Sequence, residues 1–449
     1  MWKSHTSRLS FLRFDMFNSK KPLFSRPALA AVMVLSTLVI WVLNLTAPAP
    51  RFPTPKVEVW KTQSGIPVIW LSQEKWKNTN KLELRFTFKN TSQSAPLTDA
   101  TLSLLMADSL PLSTSTINQR LAPLAAKVSS DYDHESQTIA LTLNSEPAYL
   151  MPTLTLMSQW LSAPAFKARA FDHWNRRFNN TLPTQQTLEN ILFANTAATS
   201  SPAITLAAIK SHYAQLTQQA SAIFVIGEMT KQTQDAIKAS LNTLSKHFSV
   251  ASHTSKGAPI SWQQPTPTPQ ATQITPPKET QSMLALTPLS SVKQWLSLQI
   301  WGADLIDSLS NQGTFGYVRL NLTLSAKHPW AYWRAQHTEP LLASKQKTPA
   351  ANEVSARSMI ELASIPSLQD NARFKALLDQ LKSQLAQRTL DPSWWALLAT
   401  SATQEDSSLT LAQFASHYQD AIDTFNQDDY KAALESLLIT PSYQEIQVY

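Results

Sequence analysis

The sequence predicts an α+β protein built from two α+β domains that follow a single N-terminal transmembrane helix. Three observations predict this arrangement. Residues 27–46 form a run of twenty residues without a charge. From residue 56 onward, segments with strand-type alternation and segments with helical periodicity follow one another. A proline-rich stretch at 258–281 then separates two parts of comparable size.

The apolar run at 27–46 predicts a membrane anchor. Twenty helical residues at about 1.5 Å each span the ~30 Å hydrocarbon core of a bilayer. A cleaved signal peptide is the alternative, but the preceding charged region is long and proline follows each plausible cleavage site in APAP. Because the basic residues precede the run, residues 1–26 are expected in the cytoplasm and the bulk of the chain outside it. For a bacterium with two membranes, this means the inner membrane and the periplasm.

The net charge of +7 does not indicate a nucleic-acid-binding protein. Residues 1–26 contain six basic residues and one acidic residue, so +5 of the +7 lies in this tail. The remaining 423 residues carry about +2 and show no basic stripe that could follow phosphates. Cysteine is absent, so the chain has no disulfide framework and depends on its cores.

Proline-rich segments set the predicted domain boundaries. Residues 47–55 (APAPRFPTP) are expected to form a stiff spacer between the anchor and the folded part. Residues 251–281 are expected to form a linker. The predicted domains are therefore the N-terminal half, residues 56–250, and the C-terminal half, residues 282–449.

Alternation and helical periodicity predict the elements of the N-terminal half. In chain order they are a hairpin at 57–74 turning at Gly65, a strand at 81–90, a helix at 98–110, a short helix within 116–130, a strand at 136–145, a helix at 148–166, and a strand and helix at 221–248 joined at Gly227. Mixed strands and helices with this alternation are typical of an α+β domain.

Four segments together resemble the insulinase/pitrilysin family of zinc peptidases, in its form with two homologous α+β halves per chain. In chain order they are KTQSGIPVIWLSQE (61–74), LMSQWLSAPAF with the following KARAFDHWNRRF (156–178), SHYAQLTQQASAIFVIGEMT (211–230) and GTFGYVRLNLTLSAKHPWAYW (313–333). Four of the six glycines in the chain (65, 227, 313, 316) fall where the family pattern has glycine. Each segment alone is a weak match, but their common order over most of the chain makes the resemblance specific.

The resemblance implies a zinc site that this sequence has lost. The family motif H-x-x-E-H places two zinc-binding histidines four residues apart on one helix face, with a glutamate that activates the metal-bound water. Here the corresponding positions are Thr101, Leu104 and Leu105, and no two of the nine histidines in the chain are four residues apart. The later zinc-binding glutamate is expected within 171–182, which contains no glutamate. The resemblance therefore implies no metal site in this chain, no catalytic residue, and zinc only in a partner subunit.

Other acidic and histidine side chains are weaker candidates. In DYDHESQ (131–137), an interpretation as a strand places Asp131, Asp133 and Glu135 on one side and His134 on the other, so His134 and Glu135 cannot share a ligand. A solvated strand edge is the simpler interpretation, and a metal site is the alternative. A displaced zinc ligand at His173 is less plausible than a partly buried, hydrogen-bonded histidine beside Trp174.

The C-terminal half offers one candidate for substrate binding. The resemblance implies an arginine and a tyrosine that hold the substrate over the zinc. Tyr332 occupies the tyrosine position, Ser325 replaces the arginine, and Arg319 matches a different, structural arginine. Tyr332 is therefore the candidate substrate contact, with a core position as the alternative. The aromatic clusters HPWAYW (328–333) and PSWW (392–395) are expected in a core or a subunit interface.

These observations favour a membrane-anchored, catalytically silent insulinase-type subunit that pairs with an active zinc peptidase homologue. In that family two-half chains associate so that four domains enclose a chamber. A stand-alone binding or scaffold protein that uses the same fold is the alternative. A hydrolase with an unrecognised site is a third hypothesis, but no nucleophile, base and orienting group can be placed together from the sequence.

Overall fold

A computed structural model of the chain describes residues 54–92, 94–178, 204–251, 279–311, 315–338, 365–404 and 406–448, together with Met33, Leu35, Ser36, Leu188, Glu189, Leu192 and Gly313. The chain separates into two compact units, Met1–Arg51 and Phe52–Tyr449.

Several sequence predictions fall on residues outside the described ranges. They are the basic tail at 1–26, all of the anchor at 27–46 except Met33, Leu35 and Ser36, residues 47–53 of the spacer, and residues 252–278 of the linker. A search of the described residues alone finds no helix with the length and apolar character that a membrane crossing requires. The anchor and the domain boundaries therefore stay predictions.

The strands and helices of the described residues alternate along the chain, which confirms the α+β class. The strands are β1 (Lys56–Lys61), β2 (Pro67–Ser72), β3 (Lys81–Lys89), β4 (Lys127–Tyr132), β5 (Ser136–Asn144), β6 (Ala220–Ile226), β7 (Glu279–Ala285), β8 (Phe315–Thr323), β9 (Trp330–His337) and β10 (Gln444–Val448). The helices are α1 (Ala95–Met106), α2 (Ile117–Leu121), α3 (Pro147–Ser162), α4 (Ala168–Arg177), α5 (Leu206–Leu216), α6 (Lys231–Leu244), α7 (Val292–Asn311), α8 (Pro366–Gln369), α9 (Asn371–Arg388), α10 (Pro392–Ser401), α11 (Leu411–Thr424) and α12 (Gln427–Leu437).

The strands form two sheets. The first sheet has the order β1-β2-β6-β3-β5-β4, in which β2 and β6 are parallel and the other pairs are antiparallel. The second sheet has the order β10-β7-β9-β8 and is antiparallel throughout. Strand β7 begins at Glu279, inside the stretch that the sequence assigns to the linker.

Each face of the first sheet is covered by a different part of the chain. One face packs against helices of the N-terminal half, and Leu84 and Phe86 of β3 belong to that core. On the other face, Ile69 and Phe224 join one continuous apolar cluster with residues of the C-terminal half such as Trp395. The C-terminal half therefore completes the core of the first sheet, so neither half buries its apolar surface alone.

The outer face of β3 is polar where it meets α10. Glu83 is 0% exposed, and its carboxylate is 2.8 Å from Arg85 Nη2. The Ser393 hydroxyl of α10 donates to the same carboxylate. At the start of β3, Lys81 Nζ lies 2.9 Å from Asp391 Oδ1, next to the start of α10. These contacts provide partners for a buried charge and fix α10 against the sheet.

Gly227 allows the turn after β6 to approach β3. Its φ angle is +150°, and a Cβ atom at this position would lie 2.8 Å from the carbonyl oxygen of Lys81. A side chain would therefore force the backbone of β3 to move. This glycine belongs to one of the segments that carry the resemblance described above.

Local chemistry moves some boundaries from their predicted positions. Helix α1 begins at Ala95, three residues before the predicted start, because the Ser94 hydroxyl accepts a hydrogen bond from Leu97 N and Pro96 occupies the first turn. The segment predicted as a short helix within 116–130 contains α2 and then β4. The change follows Ala125, whose φ of 50° ends the helical turn.

Candidate functional site

The helix α1 lies where the resemblance implies a zinc-binding helix, and its motif positions face the core. All twelve of its residues are described, and none of them is exposed. Thr101, Leu104 and Leu105 are 0%, 2% and 0% exposed. The Thr101 hydroxyl donates to the Leu97 carbonyl at 2.8 Å, so its polar group is used within the helix itself.

Hydrogen bonds from α3 fix the C-terminal end of α1. Trp160 Nε1 donates to the Leu105 carbonyl at 3.0 Å and to Ser109 Oγ at 2.7 Å. The Ser109 hydroxyl donates in turn to the Leu105 carbonyl at 2.6 Å. Trp160 is fully buried, so the carbonyl that the helix end leaves open is bonded inside the core.

Helix α4 covers α1 in the region where the later zinc-binding glutamate is expected. Trp174 Nε1 donates to Asp99 Oδ2 at 2.9 Å. The rings of Phe171 and Phe178 stack on Trp174, with centroids 6.2 and 4.7 Å away. His173 is exposed, so the expectation that it is partly buried is wrong.

The residues around α1 do not fit a zinc ion. The three motif positions offer one hydroxyl and two isobutyl groups, and the Asp99 carboxylate accepts from Trp174. Within the described ranges, no three histidine, aspartate or glutamate side chains are arranged to hold a metal ion. Zinc prefers thiolate, imidazole and carboxylate ligands in tetrahedral geometry, which this helix does not supply.

The acidic segment 131–137 is a turn rather than a continuous strand. Strand β4 ends at Tyr132 and β5 begins at Ser136, so residues 133–135 form the connection, here called the acidic turn. Asp133 Oδ1 accepts from the backbone nitrogens of Glu135 at 2.7 Å and Ser136 at 2.6 Å. The prediction of a solvated strand edge is therefore wrong for residues 133–135, because the Asp133 carboxylate closes a tight turn.

The acidic turn contacts the C-terminal half directly. Both oxygens of the Glu135 carboxylate accept from Lys327 N, at 3.1 and 3.0 Å. Glu135 Oε1 is also 2.5 Å from His328 Nδ1. Glu189 accepts a side-chain hydrogen bond from Trp330 and lies 3.4 Å from His134 Nε2. The turn and Glu189 therefore meet the segment at 327–330, immediately before and at the start of β9.

A cavity of about 220 Å³, here called the junction cavity, lies between the first sheet, α10 and the second sheet. It is lined by Asp131, Tyr132, Asp133, Ser136, Thr138, Glu189, Leu322, Thr323, Trp330, Leu397, Thr400 and Ser401. Three of these residues are acidic and none is a lysine or arginine. The cavity is therefore a space between the two halves that is rich in carboxyl and hydroxyl groups.

Burial changes the acid–base properties of this cluster. It raises the pKa of Asp133 to about 6. The nearby Glu135 charge also raises this pKa, whereas the hydrogen bonds from the turn lower it. Burial also raises the pKa of Glu189 to about 7, with a contribution from Asp133. Burial and the neighbouring His328 lower the pKa of His134. The neutral forms are thus favoured for both carboxyl groups and for this imidazole.

Tyr332, the candidate substrate contact, lies in β9 at a buried position. Its hydroxyl donates to Gln281 Oε1 at 2.6 Å, and burial raises its pKa to about 12. Ser325 is also buried, whereas Arg319 is exposed and bonds Asn321 Oδ1 at 3.2 Å. The structure does not bring these three side chains together around one ligand, and a substrate contact by Tyr332 stays a prediction.

The two aromatic clusters contribute to the core. Trp333 and Trp395 are both 0% exposed. Trp395 Nε1 donates to the Thr389 carbonyl at 2.9 Å, and its ring meets those of Phe414 and Tyr418 edge-on, with centroids 6.2 and 5.5 Å away. The expectation of a core position is confirmed for these residues.

Comparison with solved structures gives consistent neighbours. A protease from Helicobacter pylori superposes with a TM-score of 0.63 at 12% identity, covering 88% of this chain and 99% of that one. A peptidase M16 inactive domain from Pseudomonas fluorescens gives a TM-score of 0.55 at 16% identity, covering 88% and 98%. The periplasmic protease PqqL from Escherichia coli gives a TM-score of 0.59 at 12% identity, covering 96% of this chain but 49% of that one.

The fold is that of the insulinase-type (M16) peptidases. The sequence matches no family model and no curated protein. The resemblance carried by the four segments is therefore confirmed at the level of the fold. The chain has about half the length of PqqL, as a two-half unit does when it corresponds to one part of a longer peptidase chain.

Sequence reasoning missed the parts of the chain that meet the acidic turn. His328 lies in HPWAYW, a segment whose aromatic residues predict a core or interface position, and this pattern predicts no role for the histidine. Glu189 is separated from the turn by more than fifty residues, and no motif surrounds it. Only the tertiary structure brings these two side chains to the turn, and the neighbours of Glu189, Leu188 and Leu192, pack against residues of the second sheet.

Proposed function

We propose that this chain is a catalytically silent insulinase-type subunit that is anchored in the membrane and pairs with an active zinc peptidase homologue outside the cytoplasm. The observation that carries the proposal is α1. The helix keeps its place in the fold, but Thr101, Leu104 and Leu105 are packed into apolar core instead of presenting metal ligands.

A chain that lacks the metal ligands but keeps the fold is better suited to a structural role than to a catalytic one. A chain selected only as a peptidase has no reason to keep both sheets once its zinc ligands are gone. A subunit that completes a chamber needs both sheets and a large interface, on the order of 1,500 Å² with apolar anchors. The similarity to a peptidase M16 inactive domain supports this reading, because a silent domain of the same fold exists in another protein.

The first experiment measures zinc in the purified full-length chain. Metal analysis after gel filtration is expected to find well below one zinc per chain, because zinc affinity requires deprotonated ligands that α1 does not offer. A homologue with an intact H-x-x-E-H, purified in the same way, is the positive control. A stoichiometric zinc content in this chain would overturn its assignment as catalytically silent.

The second experiment tests the membrane anchor and orientation. A reporter that is active only outside the cytoplasm is fused after Tyr449, and the expected result is an active reporter that stays with membranes after a high-salt wash. A fusion that lacks residues 27–46 is the matched control and should be inactive. A shortened chain in the soluble fraction would show that the apolar run is a cleaved signal.

The third experiment tests the partner. The full-length chain is co-expressed with an H-x-x-E-H homologue from the same organism, and a heterodimer that cleaves short unfolded peptides is expected. The partner alone is the control. If native membranes yield no zinc-bearing homologue in a pull-down and the partner is equally active without this chain, a stand-alone scaffold role replaces the proposal.

A further inference from the structure

The acidic turn is attached firmly to the N-terminal half and reaches across to the C-terminal half. Asn90, which directly follows β3, donates from its backbone nitrogen to the Glu135 carbonyl and from Nδ2 to the Asp133 carbonyl, both at 2.7 Å. On the other side, Glu135 is bonded to Lys327 N and His328. A conformational change in this turn therefore alters a contact between the two halves and is not confined to a surface loop.

Carboxyl groups converge beside that contact without a permanent positive charge among the lining residues. Asp131, Asp133 and Glu189 all line the junction cavity, and its remaining described lining is hydroxyl-bearing or apolar. Asp133 and Glu189 are partly buried, so their carboxylates repel one another and lose hydration on ionisation, whereas Asp131 is more exposed. The imidazole of His134, 3.4 Å from Glu189, compensates only when it is protonated.

The charged and titratable groups that face the cluster come from every element packed around it. They are Asp99 of α1; Asp131 and Tyr132 of β4; Asp133, His134 and Glu135 of the acidic turn; Glu189, between α4 and α5; Lys327 and His328 of the segment before β9; and the ion pair of Lys89 with Asp406. Lys327 contributes its backbone nitrogen, and its side chain is exposed. Lys89 pairs with Asp406 at 3.7 Å, so its charge is already matched.

We propose that the contact between the acidic turn and residues 327–330 is a pH-sensitive junction, which tightens when the carboxyl groups of the junction cavity are protonated and loosens when they ionise. The proposal goes beyond the role as a silent subunit. It does not depend on a partner or on the membrane anchor, so its failure and the failure of the proposed function are separate results.

The direction follows from the raised pKa values of the two most buried carboxyl groups. The folded-state pKa values of Asp133 and Glu189, about 6 and about 7, lie above the ordinary values of 3.8 and 4.5 for these side chains. Each group therefore stabilises the closed junction most below its unfolded pKa, and that stability is lost as pH rises through the folded pKa. The junction is expected to loosen as pH rises from about 4 to about 7.

Hydrogen–deuterium exchange on the full-length chain tests this directly. Amide protection in residues 127–140 and 324–334 is measured at pH 5.5 and pH 8.0 and corrected for the intrinsic exchange rate at each pH. We expect protection in both segments to fall by roughly tenfold or more at pH 8.0, since each shifted pKa unit corresponds to a factor of ten. Protection of α9, none of whose residues lines the cavity, is expected to change less than twofold.

Two variants assign the effect to the named groups. The double change Asp133→Asn with Glu189→Gln keeps the shape and the turn-closing oxygen but cannot ionise, so protection in both segments should become nearly independent of pH. The change Asp379→Asn, on an exposed position of α9, is the matched control and should leave the wild-type difference intact.

Three results would overturn the proposal. One is equal protection of wild-type residues 127–140 and 324–334 at the two pH values, and this measurement stands even if the double variant does not fold. Another is a pH dependence that persists in the folded double variant. The third is a loss of protection that is equally large in α9, which would show a global change instead of a local opening at the junction.

Discussion

Helix α1 and the acidic turn were both candidate sites, and they differ in the ionisable groups that they present. In α1 the positions of the metal motif are apolar or internally bonded, and all three are buried. In the acidic turn, ionisable groups crowd together at low exposure and bridge the two halves. Among the described residues, the motif positions of α1 therefore belong to the core, whereas the junction brings several titratable groups close together.

The largest expected effect comes from forcing the zinc motif back into α1. The triple change Thr101→His, Leu104→Glu and Leu105→His places three ionisable groups in a core that is at most 2% exposed. We expect a loss of at least about 5 kcal/mol in the free energy of unfolding, or no folding at all, because none of the groups gains a buried partner. Urea unfolding followed by circular dichroism measures it.

Leu112→Glu is the control for that triple variant, since Leu112 is 102% exposed and should tolerate the charge. A folded triple variant of near wild-type stability that also binds zinc would show that α1 can still open. The contrast between a closed helix and a titratable junction would then be wrong.

The next largest effect concerns a charge that is buried between the halves with its partners present. Replacing Glu83 by Ala leaves Arg85 without its carboxylate and removes the acceptor of Ser393, so we expect a loss of about 3 to 5 kcal/mol. Glu58→Ala is the control, because its pair with Lys56 is solvent-exposed and surface pairs contribute about 0 to 1 kcal/mol. Equal stability of the two variants would contradict the assignment of Glu83 as a contact that joins the halves.

A smaller effect is expected from the hydrogen bonds that close α1. Trp160→Phe removes the indole donor to the Leu105 carbonyl and Ser109 while keeping most of the ring. The expected cost is about 1 to 3 kcal/mol, since two buried hydrogen bonds from the indole and some packing are lost, although Ser109 still donates to the Leu105 carbonyl. Trp262→Phe in the predicted linker is the comparison variant, and chemical denaturation of both proteins decides whether the two positions differ.

The smallest effect concerns a pH dependence of opposite sign to that of the junction. Burial lowers the pKa of His212, which lies 3.3 Å from Gln137 Nε2. A histidine with a lowered folded pKa stabilises the protein above its unfolded pKa, and this contribution is lost as pH falls. His212→Gln should therefore reduce the drop in melting temperature between pH 7 and pH 5, and an unchanged drop would show that His212 does not titrate in this range.

The sequence predicted the elements of the N-terminal half well, because their patterns are local. Alternation in 81–90 and 136–145 gave β3 and β5, and the strand, glycine and helix pattern at 221–248 gave β6 and α6. Residues 133–135 were misread because the Asp133 carboxylate bonds two backbone nitrogens and turns the chain. Alternation along a short acidic stretch does not reveal such a turn.

The sequence by itself determined that the fold belongs to the α+β class and resembles the insulinase-type peptidases, and that α1 carries no zinc ligands. Both depend on residue identity and on spacing between near neighbours in the chain, and the sequence shows these directly. Only the tertiary structure decided which ionisable groups meet. Glu135 and His328 are 193 positions apart, and their 2.5 Å contact exists because the second sheet packs beside the first. No pattern within either segment encodes that packing, since it depends on how the apolar surfaces of both halves are buried together.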